Sequence, residues 1–395
     1  MKKSFRLILN ALLLLFILSA PNFGQSHSII PLESEITSFL NQHPLLTENQ
    51  ASVLEVYSLG EALVIDLSQE ILPNGEYEEE IFTNLLADLD KIFDINLRFM
   101  TTFKIEGQTL DRWGQPMPNF EDFLPPPTIL DGTRSGPLAG VRIALSPGHG
   151  LYWNETYNDW FWQRSDWWGI REDTLNSEIM RYVQIALRNQ GATVIQLRQM
   201  DPYAGYGVSG FPKWWEGSRQ YAISLGLPAA IYDGSNTNYN SDIRARPYMA
   251  NYYDADIFIS LHNNGYDYAT LTGTETYYDT DNHAGSPALA AYVHNKIINT
   301  IRSRYDPDWW SRGIKGVDGI YGEINYAEMP AILIELAFMD TYYPDNTYLH
   351  DEAFKILSAE AIVGGICDFR GVTCPNISVI PPELNNKFYL PLMMR

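Results

Sequence analysis

The sequence predicts an α/β protein with a largely parallel, twisted sheet and helices on both faces, together with a small N-terminal α+β domain. Three observations predict it. After residue 139, short apolar runs typical of buried strands alternate with amphipathic helical segments. A Pro- and Gly-rich stretch precedes this alternation. A shorter strand–helix–strand pattern lies before that stretch.

The larger domain is predicted at residues 139–370. Its helices have apolar residues along one side, and the helix predicted at 172–190 stops at Gly191. In chain order, the strands are expected at 141–145, 193–197, 256–261 and 331–336, and the helices at 172–190, 241–252, 286–304 and 351–368. Strands that alternate with helices form a parallel sheet covered on both faces.

The N-terminal unit is predicted at residues 27–120. It has strand patterns at 62–67 and 97–105 and a helix with one apolar face at 76–93. It weakly resembles the small GerMN-type domains of secreted envelope proteins, which implies an accessory role. A linker at 121–138, with three consecutive prolines at 125–127, marks the domain boundary, and 371–395 is a C-terminal tail.

Two long inserts, 151–169 and 201–240, interrupt the larger domain. The first contains five tryptophans, and the second contains Trp214 and Trp215 among several Gly and Tyr residues. Long ordered loops after strands often form lids or cleft walls. The alternative is that both inserts only pack over the sheet.

Composition and charge exclude several classes of protein. Of 395 residues, 45% are apolar and 19% are charged, which is enough to build a core and excludes a wholly disordered chain. The 27 Lys and Arg against 48 Asp and Glu give a net charge of −21. This charge argues against binding to nucleic acid or to an anionic membrane surface, because both need cationic residues.

The N-terminus predicts export. Lys2, Lys3 and Arg6 precede an apolar run at 7–20, as in a secretory signal peptide, here placed at 1–25. The run is shorter than the roughly 20 residues that a spanning helix needs, so no stable membrane insertion is expected. An uncleaved anchor is the alternative. In a secreted or envelope protein, Cys367 and Cys374 can form a disulfide, and free buried thiols are the alternative.

Candidate catalytic residues lie at the ends of the predicted strands. His149 follows the first strand of the larger domain, His262 ends the third, and Glu335 lies in a later one. Glu172 begins the helix after the first strand. Because the carboxyl ends of parallel strands share one edge of a sheet, these four residues can meet there.

Two imidazoles and one carboxylate, with one position left for water, form a catalytic zinc set. A further carboxylate that does not bind the metal can act as general base and acid. Glu335 suits this role because its neighbours at 331–336 are apolar, and desolvation raises the pKa of a carboxyl group.

Each candidate has a structural alternative. A histidine at a strand end is often a hydrogen-bonded structural residue, and Glu172 can stabilise a helix N-terminus. The other histidines, 27, 43, 283, 294 and 350, are expected to be solvated. No His-Glu-x-x-His helix, Gly-x-Ser-x-Gly elbow or phosphate-binding Gly-Lys-Ser loop is present.

Four sequence blocks, in order, resemble the zinc-dependent N-acetylmuramoyl-L-alanine amidases of the Amidase_3 type, across residues 139–368. They are ALSPGHG (144–150), GIREDTLN (169–176), ADIFISLHNN (255–264) and MPAILIELAFMD (329–340), and RGIKG (312–316) also fits. The resemblance implies a phosphorylase/hydrolase-like fold. It also implies one Zn²⁺ per chain, held by His149, Glu172 and His262, and Glu335 as the catalytic residue.

The implied reaction is hydrolysis of the amide between the lactyl group of muramic acid and L-alanine, with peptidoglycan as the partner. The chain departs from the family where Ser146 replaces the usual Asp and Asn263 replaces a small residue. Asn264, Ser146 and Arg312 are therefore candidates for contacts around the metal or with substrate.

Three other functions compete with this one. They are a zinc amidase or peptidase of similar fold that acts on another amide, a non-catalytic wall-binding protein that uses the Trp-rich inserts, and a glycosidase. Metal content and the chemistry of the released products distinguish them.

Overall fold

The computed structural model describes residues 30–59, 62–72, 79–93, 100–106, 108–109, 129–130, 135–235, 237–265, 271–377 and 379. The predicted signal peptide (1–25), most of the predicted linker (121–138) and most of the tail (371–395) lie outside these residues.

The described helices fall into an N-terminal group and a group around the central sheet. They are α1 (Ile30–Leu40), α2 (Pro44–Glu48), α3 (Glu79–Phe93), α4 (Glu172–Asn189), α5 (Ser218–Ser224), α6 (Ala229–Tyr232), α7 (Asn238–Tyr252), α8 (Ser286–Arg304), α9 (Gly322–Asn325), α10 (Thr347–His350) and α11 (Glu352–Phe369).

The strands are mostly short. They are β1 (Val53–Leu59), β2 (Ala62–Leu67), β3 (Met100–Ile105), β4 (Gln108–Thr109), β5 (Ile129–Leu130), β6 (Arg142–Pro147), β7 (Leu151–Asn154), β8 (Asp159–Trp162), β9 (Asp166–Trp167), β10 (Ile170–Arg171), β11 (Thr193–Gln196), β12 (Ile257–Asn264), β13 (Thr274–Asp279), β14 (Ser311–Asp318) and β15 (Ala331–Phe338).

Within the described residues, one 11-stranded sheet runs through the molecule in the order β1-β2-β3-β14-β13-β15-β12-β6-β11-β5, with β4 paired to β3. The pairs β11–β6, β6–β12, β12–β15, β13–β14, β14–β3 and β2–β3 are parallel. β13 runs antiparallel to β15, and β5, β1 and β4 are antiparallel at the margins. The predicted fold class, a largely parallel α/β sheet with a small N-terminal α+β part, is confirmed.

The N-terminal strands join the central sheet through one short contact. β3 pairs in parallel with β14, Thr101 opposite Val317 and Thr102 opposite Asp318. The N-terminal unit therefore extends the same sheet. Its boundary at 121–138 and its likeness to GerMN domains stay predictions.

The side chains of the central strands alternate between two apolar cores, as the period of two in a strand requires. On β12, Ile257, Ile259 and Leu261 pack into one core with α4, α8 and α11. Phe258 points to the other core, which includes α7 and the N-terminal unit. His262 and Glu335 have the same parity as Phe258 and Leu333, so both lie on the face toward α7 and the N-terminal unit.

The elements predicted from sequence in the larger domain are all present, with shifts of one to three residues at most ends. Strands β1, β13 and β14 were not predicted. Two histidines expected to be solvated are buried instead. Nε2 of His43 donates to Oδ2 of Asp88 at 2.9 Å, and His294 lies between Thr276 and Ser311. The expectation was wrong for these two, because hydrogen-bond partners compensate each imidazole for the loss of water.

The two inserts pack against each other. The first forms a β7–β8 hairpin, and the ring of its Trp162 lies 5.2 Å from that of Trp215 in the second. The buried guanidinium of Arg198 donates to the carbonyl oxygens of Trp214, Trp215 and Glu216, which fixes the second insert to the sheet.

A disulfide links the C-terminal helix α11 to the segment that follows it. Cys367 and Cys374 form a disulfide with a Cα–Cα distance of 6.1 Å. None of the helices in the described part of the chain is long and apolar enough to cross a bilayer.

Candidate metal centre

The turn after β6 brings His149 into the site by an unusual backbone path. His149 has φ of +61°, in the left-handed region that few residues other than glycine adopt. Gly148 comes so close to His262 that a Cβ at position 148 would lie within 3.0 Å of three ring atoms. The SPGHG sequence therefore allows the left-handed backbone at His149, and its Gly148 leaves room for the imidazole of His262.

Three side chains converge where this turn meets β12 and the start of α4. Nε2 of His149 lies 3.0 Å from Nδ1 of His262 and 3.1 Å from Oε2 of Glu172. Nδ1 of His262 lies 3.1 Å from Oε1 of Glu172. All three residues are buried, and together they form a group that could hold a metal ion.

Glu172 is held by its backbone position and by two donors. It is the first residue of α4, and its Oε1 accepts from the backbone N–H of Asn263 at 3.0 Å and from Nδ2 of Asn176 at 3.1 Å. The adjacent Asp173 is occupied elsewhere: its Oδ1 accepts from the backbone N–H groups of Gly150 and Gln163. Of the two neighbouring carboxylates, Glu172 is the one that faces the imidazoles.

The outer nitrogen of His262 meets a carboxylate that sequence reasoning did not predict. Its Nε2 lies 3.1 Å from Oε1 of Glu323 on α9. Glu323 is buried, and its Oε2 accepts from the hydroxyl of Ser146 at 3.0 Å. The guanidinium of Arg246 lies 3.4 Å from the same carboxylate and balances its charge. Ser146, predicted to act around the metal, thus reaches the centre through Glu323.

The outer nitrogen of His149 meets the first insert. Its Nδ1 lies 3.3 Å from Oε1 of Gln163, whose Nε2 donates to Asp242 at 3.1 Å. Asp242 in turn forms an ion pair with Arg246 at 3.0 Å. Each imidazole therefore has one nitrogen fixed by a hydrogen-bond partner and the other directed at the convergence point, which is the arrangement typical of metal-binding histidines.

The electrostatics of the group favour positive charge at its centre. Burial lowers the pKa of His149 to about 3, with Arg164 contributing. Burial also opposes the charging of His262, but Glu323 and Glu172 outweigh it and raise its pKa to about 10. Burial disfavours the charged form of Glu172 as well, yet the two imidazoles hold its pKa well below the usual range. A divalent cation would supply this positive charge and leave both imidazoles neutral.

The distances fit zinc. Four ligands at Zn–N and Zn–O distances of about 2.0–2.1 Å in a tetrahedron lie roughly 3.3 Å from one another. The separation of 3.0 Å between the two imidazole nitrogens is close to that value, and each of these nitrogens lies 3.1 Å from one oxygen of Glu172, Oε2 for His149 and Oε1 for His262. The donor set, two imidazole nitrogens and one carboxylate, is also one that zinc prefers and leaves a fourth position for water or substrate.

Glu335 lies beside this centre. In the parallel pair of β12 and β15 it is aligned with His262, and it is only 8% exposed. Its Oε2 has no hydrogen-bond partner among the described residues. Burial raises the pKa of Glu335 well above the usual range; His262 opposes this effect, and the carboxylates of Glu172 and Glu275 add to it. Such a carboxyl group has a high affinity for a proton.

Asn264 and Arg312 meet on Glu275, another residue that sequence reasoning missed. In the antiparallel pair of β13 and β15, Glu275 lies opposite Glu335. It accepts from Nδ2 of Asn264 at 2.9 Å and from Nε of Arg312 and Nζ of Lys315 at 2.8 Å. Burial opposes its ionisation, but Lys315 and Arg312 lower its pKa to about 2. Glu275 is thus ionised near Glu335, and the cations of Arg312 and Lys315 balance its charge.

One cavity of about 630 Å³ contains the four predicted catalytic and metal-binding residues, His149, Glu172, His262 and Glu335. Gln163, Arg164 and Trp167 of the first insert line it, as do residues of α1, α2 and α3. The structure therefore brings together His149, Glu172, His262, Glu335 and Asn264 in one cavity. Ser146 and Arg312 are not among the lining residues but contact Glu323 and Glu275, and Cys367 and Cys374 lie elsewhere.

The Amidase_3 family model, described as N-acetylmuramoyl-L-alanine amidase, matches residues 143–368, which is more than half of the chain. The chain belongs to this family. The matched segment contains the three converging side chains, Glu335, Glu323 and both inserts.

Individual amidases differ in how much of this chain they match. LytC of Bacillus subtilis, an N-acetylmuramoyl-L-alanine amidase, is 32% identical over 300 residues, which are 76% of this chain and 45% of LytC. This chain thus spans less than half of the length of LytC. The germination-specific N-acetylmuramoyl-L-alanine amidase of Bacillus subtilis is 25% identical over 231 residues, 58% of this chain and 80% of that protein.

Among solved structures, the catalytic domain of CwlV, an N-acetylmuramoyl-L-alanine amidase from Bacillus (Paenibacillus) polymyxa var. colistinus, is 19% identical to this chain. It covers 59% of this chain and 99% of its own length, with a TM-score of 0.40.

Proposed function

We propose that this protein is a zinc-dependent N-acetylmuramoyl-L-alanine amidase that hydrolyses the amide between the lactyl group of muramic acid and L-alanine in peptidoglycan. The single observation that carries the proposal is the convergence of His149, Glu172 and His262 to within 3.1 Å, beside the buried Glu335. Membership of the amidase family supports the choice of this amide.

His149, Glu172 and His262 would hold the zinc ion. When bound, zinc supplies Lewis acidity, which polarises a carbonyl oxygen and lowers the pKa of a water molecule to about 7. The chain positions the three ligands through the SPGHG turn, the first residue of α4 and the end of β12. Glu323 and Gln163 hold the outer nitrogens of the two imidazoles and so fix which nitrogen faces the metal.

Glu335 is the proposed general base and acid. It takes a proton from the attacking water as the new carbon–oxygen bond forms, and it gives that proton to the amine of L-alanine as the carbon–nitrogen bond breaks. Burial and the nearby carboxylates raise its pKa, so it is a stronger base than an exposed glutamate. Its partner-free Oε2 is available for both transfers.

We further propose that the protein acts outside the cytoplasm. The predicted signal peptide at 1–25 implies export. The Cys367–Cys374 disulfide supports it, because disulfides persist in oxidising compartments.

The test uses the full mature chain, purified sacculi and analysis of released products. We expect free stem peptides that begin with L-alanine, and no new reducing sugar ends. Release of peptide fragments cut within the stem would indicate a zinc peptidase, new reducing ends would indicate a glycosidase, and binding without any product would indicate a wall-binding protein. Any of these three outcomes would overturn the proposal.

Two variants separate metal binding from proton transfer. Glu335→Gln should retain about one zinc per chain but lose turnover, since the amide cannot accept the proton. His262→Ala should lose both zinc and turnover, since it removes a ligand. A Glu335→Gln variant with normal turnover would show that another group is the base.

A further inference from the structure

Helix α3 of the N-terminal unit has two faces. One packs into the N-terminal core, and the other lines the cavity that contains Glu335. Ile81, Phe82, Leu85, Leu86 and Leu89 are buried in the N-terminal core. The remaining described side chains up to position 92 share the opposite face, and all line the cavity that contains the metal centre: Thr83, Asn84, Ala87, Asp88, Lys91 and Ile92. The spacing i, i+1, i+4, i+5, i+8, i+9 is that of one continuous helix face.

The cavity-facing side of α3 is held in place by contacts with α2 and the residues before it. His43 is only 7% exposed, and its Nε2 donates to Oδ2 of Asp88 at 2.9 Å. Its Nδ1 accepts from the backbone N–H of Leu45 and so caps α2. Phe39 and Leu45, which also line the cavity, pack against the N-terminal core. The wall that α3 forms is therefore anchored at Asp88 and supported from behind.

The dimensions suit an extended peptide. From Thr83 to Ile92 a helix rises about 14 Å, at 1.5 Å per residue. An extended chain of four residues spans roughly the same length. Because the α3 face and Glu335 line one cavity, a substrate held at Glu335 can continue along α3 without leaving the protein surface.

The chemistry of the α3 face favours the peptide part of peptidoglycan over the sugar part. When the lactyl carboxyl group is in amide linkage, the glycan strand has no charge there, whereas the stem peptide carries carboxylates. Lys91 is exposed on the cavity side of α3. A cation on this wall can bind an anionic group of the stem peptide, which the uncharged part of the glycan strand cannot offer.

We propose that the cavity-facing surface of α3 is a subsite for the stem peptide beyond L-alanine, with Lys91 contacting a stem carboxylate. This inference rests on the proposed amidase function and assigns the N-terminal unit a direct part in substrate selection.

The test compares two substrates with the zinc-loaded full chain. One is N-acetylmuramoyl-L-alanine, which ends at the scissile bond plus one residue, and the other carries a complete stem peptide with free carboxylates. Lys91→Glu should raise KM for the full-stem substrate by about two- to fivefold, as expected for the loss of an exposed ion pair. It should leave kcat for that substrate, and both parameters for the short substrate, unchanged.

A second variant and a matched control complete the design. Ala87→Trp adds bulk on the same face without touching the core and should also impair only the full-stem substrate. Lys213→Glu reverses an exposed charge that does not line the cavity, and it should behave as wild type on both substrates.

Each outcome is decisive. Equal effects on both substrates, or no effect of Lys91→Glu and Ala87→Trp on either, would overturn the subsite. A loss that follows glycan length rather than stem length would also overturn it, because α3 would then contact sugar. If the wild type cleaves neither substrate, the proposed amidase function fails instead, and the two failures are distinguished.

Discussion

Nε2 of His262 lies 3.1 Å from Oε1 of Glu323, on the side of the ring opposite to His149 and Glu172. A carboxylate accepts but does not donate, so it selects the tautomer that carries the proton on Nε2 and leaves the lone pair of Nδ1 for a cation. Glu323 is itself held by Ser146 and Arg246. We therefore expect Glu323 to act as a positioning residue for the proposed metal site rather than as a ligand.

Replacing Glu323 with glutamine should weaken zinc binding. The amide is nearly isosteric, but it is a weaker acceptor and brings no charge, so the imidazole becomes less basic and less firmly oriented. Loss of such an outer partner typically reduces metal affinity by about 10- to 100-fold. Competition for zinc against a chromophoric chelator measures the affinity directly, independent of activity.

The control for this variant is Glu328→Gln, which changes an exposed glutamate five residues away and should bind zinc as wild type does. Glu323→Asp, which keeps the charge, should recover part of the lost affinity. If Glu323→Gln bound zinc as tightly as wild type, the positioning role would be wrong.

A methyl group at position 148 should destroy the metal centre without changing any ligand. In Gly148→Ala the new Cβ would lie within 3.0 Å of three atoms of the His262 ring, and overpacking of this kind costs about 1–3 kcal/mol or forces a shift. The shift moves His262 away from His149 and Glu172. The variant should therefore lose zinc at concentrations that saturate wild type, as measured by metal content after dialysis.

Gly234→Ala is the matched control, because its new Cβ would meet only Tyr248 Cε2 at 3.6 Å and the carbonyl oxygen of Ala230 at 3.7 Å, both ordinary contacts. It should retain zinc. Full zinc content in Gly148→Ala would mean that the turn, not the ring of His262, yields to the methyl group.

The convergence of His149, Glu172, His262 and Glu335 could be predicted because each residue lies in, or at the end of, an element that is recognisable from the sequence around it. His149, His262 and Glu335 follow or end apolar strand patterns, and Glu172 begins an amphipathic helix. In a parallel sheet these positions share one edge. The order of strands was not needed to bring them together.

Glu275 and Glu323 were not predicted, because the contacts that bury and orient them come from residues distant in sequence. Glu275 lies in β13, whose sequence TETYYD lacks the apolar residues that indicate a buried strand. It is buried because Arg312 and Lys315, about 40 residues later, neutralise it. Glu323 lies in a four-residue helix and is recognised only through His262 and Ser146.

The burial of His294 was missed for a similar reason and leads to a test of stability against pH. His294 lies on α8 between the hydroxyl groups of Thr276 and Ser311. Burial lowers its pKa to about 4; Glu275 opposes this effect, and Lys315 and Arg302 add to it. In the unfolded chain the pKa is that of an ordinary histidine, about 6.5.

The direction in which the free energy of unfolding changes with pH follows from the number of protons that the folded and unfolded states bind. Between pH 6.5 and 4 the unfolded state binds more protons than the folded state, so the free energy of unfolding falls as the pH falls through this range. Above pH 6.5 the stabilisation is fully present. From pH 7.5 to pH 5, wild type should lose about 2 kcal/mol relative to His294→Gln, which cannot titrate.

Urea unfolding of both proteins at the two pH values, with a chelator present so that zinc does not contribute, gives the difference. His283→Gln, which removes an exposed imidazole, is the matched control. A His294→Gln variant that loses as much stability as wild type on acidification would show that His294 takes up its proton in the folded state, and that the hydroxyl groups of Thr276 and Ser311 accommodate the charged ring.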